Sequence, residues 1–261
     1  RWDGTPFTGR RLLIWGEQGY GDALMALRLL PRVKALGGEV RVLTYAPLIP
    51  LLRHSLPADG WVDEGGELPP ADLQAPLLDL PALLGVTPET ASSLPLLRTP
   101  PDHRPTPGLA EALGPDTGRR RIAVVWAGNP RHQEDRRRSL DPAHLASLGE
   151  LSGVDWFSLQ VGATQRPPLP GIVDLAPHLR DFADTAWALD RLDAVVTVDT
   201  SVAHLAGALG RPTHLLLPFH PDWRWGFQGT RTPWYDSLRL YRQGRAGDWS
   251  APLSELREAL A

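Results

Sequence analysis

The chain has 261 residues, enough for one large or two medium domains that each bury a core. With 42% hydrophobic residues, 22% charged residues and a net charge of −3, it has no bulk positive excess to draw it to nucleic acid or an anionic membrane. The absence of cysteine excludes disulfides and thiolate metal sites and suits the cytosol, and no apolar run approaches the roughly 20 residues that a bilayer span requires.

No signal peptide is legible, and a first residue of Arg1 rather than methionine reads as a fragment or a processed product. The run Arg11 to Trp15 ends at Gly16 and predicts a buried parallel strand. A glycine-rich turn, Gly16 to Asp22, leads into a helix over Ala23 to Leu36, whose Leu24, Leu27, Leu30 and Val33 share a face and whose path changes at Pro31. A strand at Val40 to Thr44 and a helix at Pro47 to Leu56 follow, then strands at Trp61-Val62 and Leu73 to Leu77 and a short helix at Leu80 to Leu84. The proline-rich stretch Thr99 to Gly118 reads as a linker. The alternation then restarts with a strand at Ile122 to Trp126, a helix at Pro142 to Leu151 capped by Asp141, and a strand at Val154 to Leu159. A helix at Asp184 to Leu192, a strand at Ala194 to Val198 and a helix at Ser201 to Leu209 closed by Gly210 come next. Strands at Thr213 to Leu217 and Arg239 to Tyr241 and a helix at Pro252 to Leu260 complete the chain.

Strands alternating with helices predict an α/β protein with parallel sheets. The expected division is an N-terminal α/β domain over 1–105, a linker over 106–120 and a C-terminal α/β domain over 121–261, with the last helix free to pack back on the first domain. Two such sheets leave a cleft between them for a ligand.

Three stretches carry candidate chemistry. In Val196 to Ala208 a buried strand runs into a helix at Asp199, Thr200 and Ser201, where free backbone N–H groups and two hydroxyls can seat a diphosphate. Asp199 would repel phosphate, so it reads as a helix cap or as an acceptor for sugar hydroxyls. His204, one turn further, reads either as a buried, satisfied histidine or as a hydrogen-bonding contact at that seat. In the first glycine turn, Asp22 and Glu17 stand at the C-terminal sheet edge, where a carboxylate can take a proton from a hydroxyl; an ordinary helix cap is the competing role for Asp22. The loop Gly128 to Ser139, with Asn129 and Arg136 to Arg138, offers arginine forks to diphosphate oxygens, against the plainer reading of a solvated charge run. The aromatic group Phe219, Trp223, Trp225, Phe227, Trp234 and Tyr235 reads as a loop packed on itself in preference to a stacking surface. No two aspartates stand two apart and the histidines lack ligand spacing, so no metal is expected.

Taken in order, these pieces resemble the glycosyltransferase family 9 (heptosyltransferase-like) domains, in the branch found behind tetratricopeptide repeats. The resemblance rests on Trp2-Asp3-Gly4, Glu17 to Asp22, Trp126 to Asn129, Asp135 with Arg138-Ser139, Asp181 to Ala186, Val198 to Gly207, Asp222 to Trp225 and Pro233 to Tyr235. It implies a GT-B fold, two Rossmann-like parallel-sheet domains facing a cleft, and an inverting, metal-independent transfer from a nucleotide-diphosphate sugar of the ADP-heptose type. It implies Asp22 as base, and Asn129, Arg138, Ser139, Asp199, Thr200, Ser201 and His204 at the donor, with Thr185 near the nucleoside. No cofactor is implied beyond the nucleotide-sugar substrate. Partners would be a carbohydrate or protein acceptor and helical repeats upstream of Arg1, with no nucleic acid and no membrane span. Arginines replace the lysine-containing motif of the lipopolysaccharide enzymes, and the Asp222 to Tyr235 loop lies outside their pattern, so sugar, base and acceptor stay open. A non-catalytic nucleotide-binding module and a nucleotide-sugar epimerase remain the alternatives.

Overall fold

In the computed structural model, which describes every residue except 92, 93, 95 and 132–134, the chain forms two parallel sheets. The first half comprises β1 (Arg11–Trp15), α1 (Tyr20–Ala26), α2 (Leu30–Lys34), β2 (Glu39–Thr44), α3 (Ile49–Ser55), β3 (Gly60–Asp63), β4 (Leu73–Pro76), α4 (Leu80–Leu83) and α5 (Pro88–Ala91). A helix α6 (Pro107–Leu113) leads into β5 (Arg120–Val125), α7 (Asp135–Arg138), β6 (Val154–Ser158), β7 (Val173–Asp174) and α8 (Phe182–Leu189). The chain continues through β8 (Ala194–Val198), α9 (Ser201–Ala208), β9 (Thr213–Leu217), β10 (Leu238–Arg242) and α10 (Ser250–Leu260). The sheets run β3-β2-β1-β4 and β10-β9-β8-β5-β6-β7, with every pairing parallel. This is the α/β, GT-B architecture expected from the alternating pattern.

The inner strands β1, β5 and β8 are largely continuous apolar runs because both of their faces are covered, whereas β2 alternates buried and half-buried residues. In β5 the period-2 alternation divides the side chains between two cores. Ile122 and Val124 enter the core beneath α10, while Ala123 and Val125 face the other way. That second core is continuous with the N-terminal sheet through Leu24, Met25, Leu27, Ala203, Leu205 and Ala206, so the halves share one apolar body. Each fully buried leucine or isoleucine there contributes about 1.5–3 kcal/mol.

Three elements are more specific than the sequence pattern. The linker stretch carries a helix: Pro107 stands at the first helical position of α6, Thr106 Oγ1 accepts from Leu109 N–H at 3.1 Å, and α6 packs against α8 and β7. It is anchored further by Asp184, whose carboxylate takes both His103 Nε2 (2.8 Å) and Arg180 Nε (2.8 Å). Burial pushes that carboxyl up, but the hydrogen bonds from Arg180 and His103 outweigh it and hold the group below its ordinary value. Second, α10 covers β9 and β10 of its own sheet, where Leu253, Leu256 and Leu260 enter the core with Val124 and Tyr241. Third, the predicted helix over 142–151 is a 3-10 helix, though Asp141 caps it as expected through Ala143 N–H at 2.9 Å. Among the described residues no helix is long and apolar enough to cross a membrane.

Candidate active site

A cavity of about 1060 Å³ opens where the C-terminal ends of both sheets meet. From the first half come Gln18 to Asp22, Tyr45 and Glu64; from the second come Ala127 to Asn129, Arg138, Asp199 to Ser201, His204 and Trp223-Arg224. The two sides are clamped by α1 crossing α9. Gly21 makes that crossing possible, since a Cβ there would lie 2.5 Å from His204 Cδ2. Gly207 does the same on the far side of α9, where a Cβ would meet Tyr235 Cγ at 2.5 Å. The small residues of α9 therefore serve the contact with the 218–237 loop as well as with the sheet.

Asp22 takes the cap role and also lines the cavity. Its Oδ2 accepts Gly19 N–H at 3.0 Å and so supports the start of α1. Its Oδ1 turns to the other half and is ion-paired with Arg224 Nη2. Glu17, by contrast, is absent from the cavity wall: its carboxylate accepts Leu77 N–H (3.1 Å) and Leu78 N–H (3.3 Å) and fixes the turn after β4.

The strand-to-helix junction differs in detail from expectation. Thr200, not Asp199, occupies the cap position of α9, and its hydroxyl meets Thr197 Oγ1 at 3.2 Å and not a helix N–H. The first-turn N–H groups thus have no side-chain cap, and Thr200 and Ser201 line the cavity. Asp199 is buried, 3.9 Å from His204 Nε2; burial pushes its carboxyl up against the opposing charges of Arg224 and Arg138. His204 is buried too, with Nδ1 2.9 Å from Tyr235 Oη and its ring 4.9 Å from that of Trp225. Burial, with Arg224, Arg138 and Arg28 adding to it, pushes its pKa well below the ordinary value, so it is neutral at pH 7 and works as a hydrogen-bonding member of the wall. The Tyr235 phenol, buried beside it, is pushed up.

On the loop after β5, Asn129 and Arg138 line the cavity, while Ser139 stands behind them. Asp135 organises this corner: Oδ1 receives Arg138 Nε at 3.2 Å, Oδ2 receives Ser139 Oγ at 3.0 Å, and Ser139 Oγ accepts Gly128 N–H at 3.0 Å. Asn129 Oδ1 accepts Arg131 N–H at 3.0 Å. His132, Gln133 and Glu134 of that loop lie outside the described residues. Gln160 Oε1 holds the turn from below through Trp126 N–H (3.0 Å) and Ala127 N–H (2.8 Å). Thr185 is not at the cavity; its hydroxyl donates to Asp181 C=O one turn back, at 3.2 Å. The aromatic group divides: Trp225, Trp234 and Tyr235 are buried, while Phe219, Trp223 and Phe227 are exposed, and Trp223 borders the cavity. Arg224 also lines the cavity, although residue-type reasoning gave it no role. Among the described residues no group of three or more histidines, aspartates or glutamates is placed to hold a metal ion.

Two parallel-sheet halves closing on a cleft at their strand ends are the GT-B architecture. Residues 162–236 match the family model for glycosyltransferase family 9 (heptosyltransferase). The whole chain is 28% identical to Protein FlbA of Caulobacter vibrioides and spans 48% of that protein, about half the length of the curated relative it matches. Among solved structures, Escherichia coli ADP-heptose lipopolysaccharide heptosyltransferase II superposes with a TM-score of 0.60 at 17% identity, over 96% of this chain and 98% of that one. A family 9 glycosyltransferase from Veillonella parvula gives 0.59 at 11% identity, over 93% and 88%. Escherichia coli heptosyltransferase WaaC with ADP-2-deoxy-2-fluoro heptose gives 0.55 at 15% identity, over 96% and 100%.

Proposed function

We propose that this chain transfers a sugar from a nucleotide-diphosphate donor to an acceptor hydroxyl, with inversion and without a metal ion. The observation that carries the reading is the cavity between the halves, which brings Asp22 together with Arg138, Arg224 and the uncapped N–H groups of Thr200 and Ser201. Its volume of about 1060 Å³ suits a nucleotide sugar together with the attacking part of an acceptor.

In this mechanism the diphosphate rests at the start of α9, where backbone N–H groups and the helix dipole favour negative charge. Arg138 reaches the same oxygens, and Asp199, its carboxyl pushed up by burial, takes a hydrogen bond from the donor hydroxyls. Asp22 Oδ1 takes the proton of the acceptor hydroxyl as that oxygen bonds to the anomeric carbon. The bond from the anomeric carbon to the diphosphate breaks on the opposite face, and its electron pair leaves with the nucleotide. Guanidinium groups and helix N–H donors stabilise the departing charge. ADP-heptose is the donor type that the heptosyltransferase-like fold suggests first. A carbohydrate or protein acceptor, tetratricopeptide repeats upstream and a cytoplasmic setting belong to the same proposal.

Loss of a general base costs about 10²–10⁴ in rate. Asp22→Asn should therefore lower transfer by about that factor, measured with a nucleotide sugar and acceptor that the native chain turns over. Turnover near the native value would remove Asp22 from the mechanism.

A further inference from the structure

Arg224 occupies an unusual position for a loop residue. It lies in the 3-10 turn Trp223–Trp225 between β9 and β10, capped by Asp222 Oδ1 on its own N–H at 3.2 Å. The side chain is 11% exposed and spans the cleft: Nη1 meets Asp222 Oδ2 at 3.3 Å on its own loop, and Nη2 pairs with Asp22 Oδ1 on the opposite half. Its Nε–H is buried without a partner. The same guanidinium borders the cavity that holds Thr200, Ser201 and Arg138. Two consequences follow from this geometry. The base proposed above is covered, because the oxygen that must receive the acceptor proton already accepts from Arg224. The guanidinium also has an unused N–H, so it is not saturated by the two carboxylates.

A diphosphate changes that balance. It carries more charge than one carboxylate and presents several acceptor oxygens, which suits the planar donor fork of arginine. We infer that Arg224 is a diphosphate-binding residue that the nucleotide donor takes over from Asp22, so that donor binding uncovers the base. The inference rests on the nucleotide-sugar reading. Asp22 Oδ2 keeps Gly19 N–H when Arg224 turns away, so the carboxylate stays oriented while Oδ1 becomes free. The exchange ties deprotonation of the acceptor to the presence of donor, and it predicts ordered binding, donor first. In the transfer step the acceptor proton moves to Asp22 Oδ1, and the electron pair of the broken bond resides on the diphosphate that Arg224 then holds.

The test exploits opposite signs. ADP, GDP and UDP are titrated calorimetrically into the native chain and into Asp22→Asn, Arg224→Met and Arg224→Lys, with the matching nucleoside as control. For the diphosphate that binds best, Arg224→Met should weaken affinity about 10- to 100-fold, with Arg224→Lys recovering part of the loss. Asp22→Asn, which removes the competing charge, should strengthen it about 3- to 10-fold. Nucleoside affinity should stay the same in all of them. If Arg224 is only a strut between the halves, Asp22→Asn and Arg224→Met will act in the same direction, and that result overturns the inference while leaving the donor site intact. The sign for Asp22→Asn decides the matter even if Arg224→Met does not fold. Failure of all three diphosphates to bind the native chain overturns the donor reading, and this inference with it.

Discussion

Replacing Gly21 by alanine should drive the two halves apart at the point where they are closest. The new methyl would lie 2.5 Å from His204 Cδ2, 3.2 Å from Nε2 and 3.3 Å from Cγ, well inside contact distance. The imidazole has little room to yield, because Nδ1 is bonded to Tyr235 Oη at 2.9 Å and the ring lies 4.9 Å from Trp225. Overpacking of this kind costs about 1–3 kcal/mol. Alanine would return at most about 1 kcal/mol, because it favours helix over glycine. The net loss is then up to about 2 kcal/mol, which for a chain of this size lowers Tm by up to about 8 °C in thermal unfolding followed by circular dichroism. Truncating the ring removes the obstacle, so Gly21→Ala should cost much less in a His204→Ala background. A Tm that rises in Gly21→Ala, or an equal cost in both backgrounds, would refute the account of how α1 and α9 meet.

His214, on β9, gives a prediction for pH. Its Nδ1 lies 2.8 Å from Tyr241 Oη, and burial, with Arg239 nearby, pushes its pKa down to about 4. The unfolded chain therefore binds the proton first: the stabilisation is complete above the ordinary histidine pKa of about 6.5 and is lost as pH falls toward the folded value. Allowing for partial exposure, His214 accounts for about 1–2 kcal/mol of the stability lost between about pH 7 and about pH 5. His214→Gln should flatten that slope in denaturant titrations; an unchanged slope contradicts the assignment. At the donor side, Arg138→Ala should weaken nucleoside diphosphate binding by about tenfold or more. Unchanged calorimetric affinity would take Arg138 out of the site.

The parallel sheets were legible because continuous runs such as Ile122 to Val125, bounded by turn residues, have no other stable home than a sheet covered on both faces. The helix α6 was hidden by treating prolines as punctuation, although Thr106-Pro107 has the chemistry of a cap and a first helical residue. At the site, the glycine turn and the 199–204 junction identified themselves through local sequence, since backbone donors and small residues act where they stand. What could not be read was where long side chains end. Glu17 lies beside Asp22 in sequence but turns to Leu77 and Leu78, and Thr185 bonds to its own helix. Arg224 meets a carboxylate 202 positions away, a pairing that no spacing rule encodes.

The central claim is that a diphosphate rests at the start of α9, inside the cleft. Amide hydrogen exchange with and without saturating ADP, GDP or UDP tests this directly, since a bound diphosphate must occupy the N–H groups it accepts from. At least one of the three should slow exchange at residues 200–202 and in the facing turn at 19–22. Full exchange at those amides with all three nucleotides, or protection confined to another surface, would contradict it.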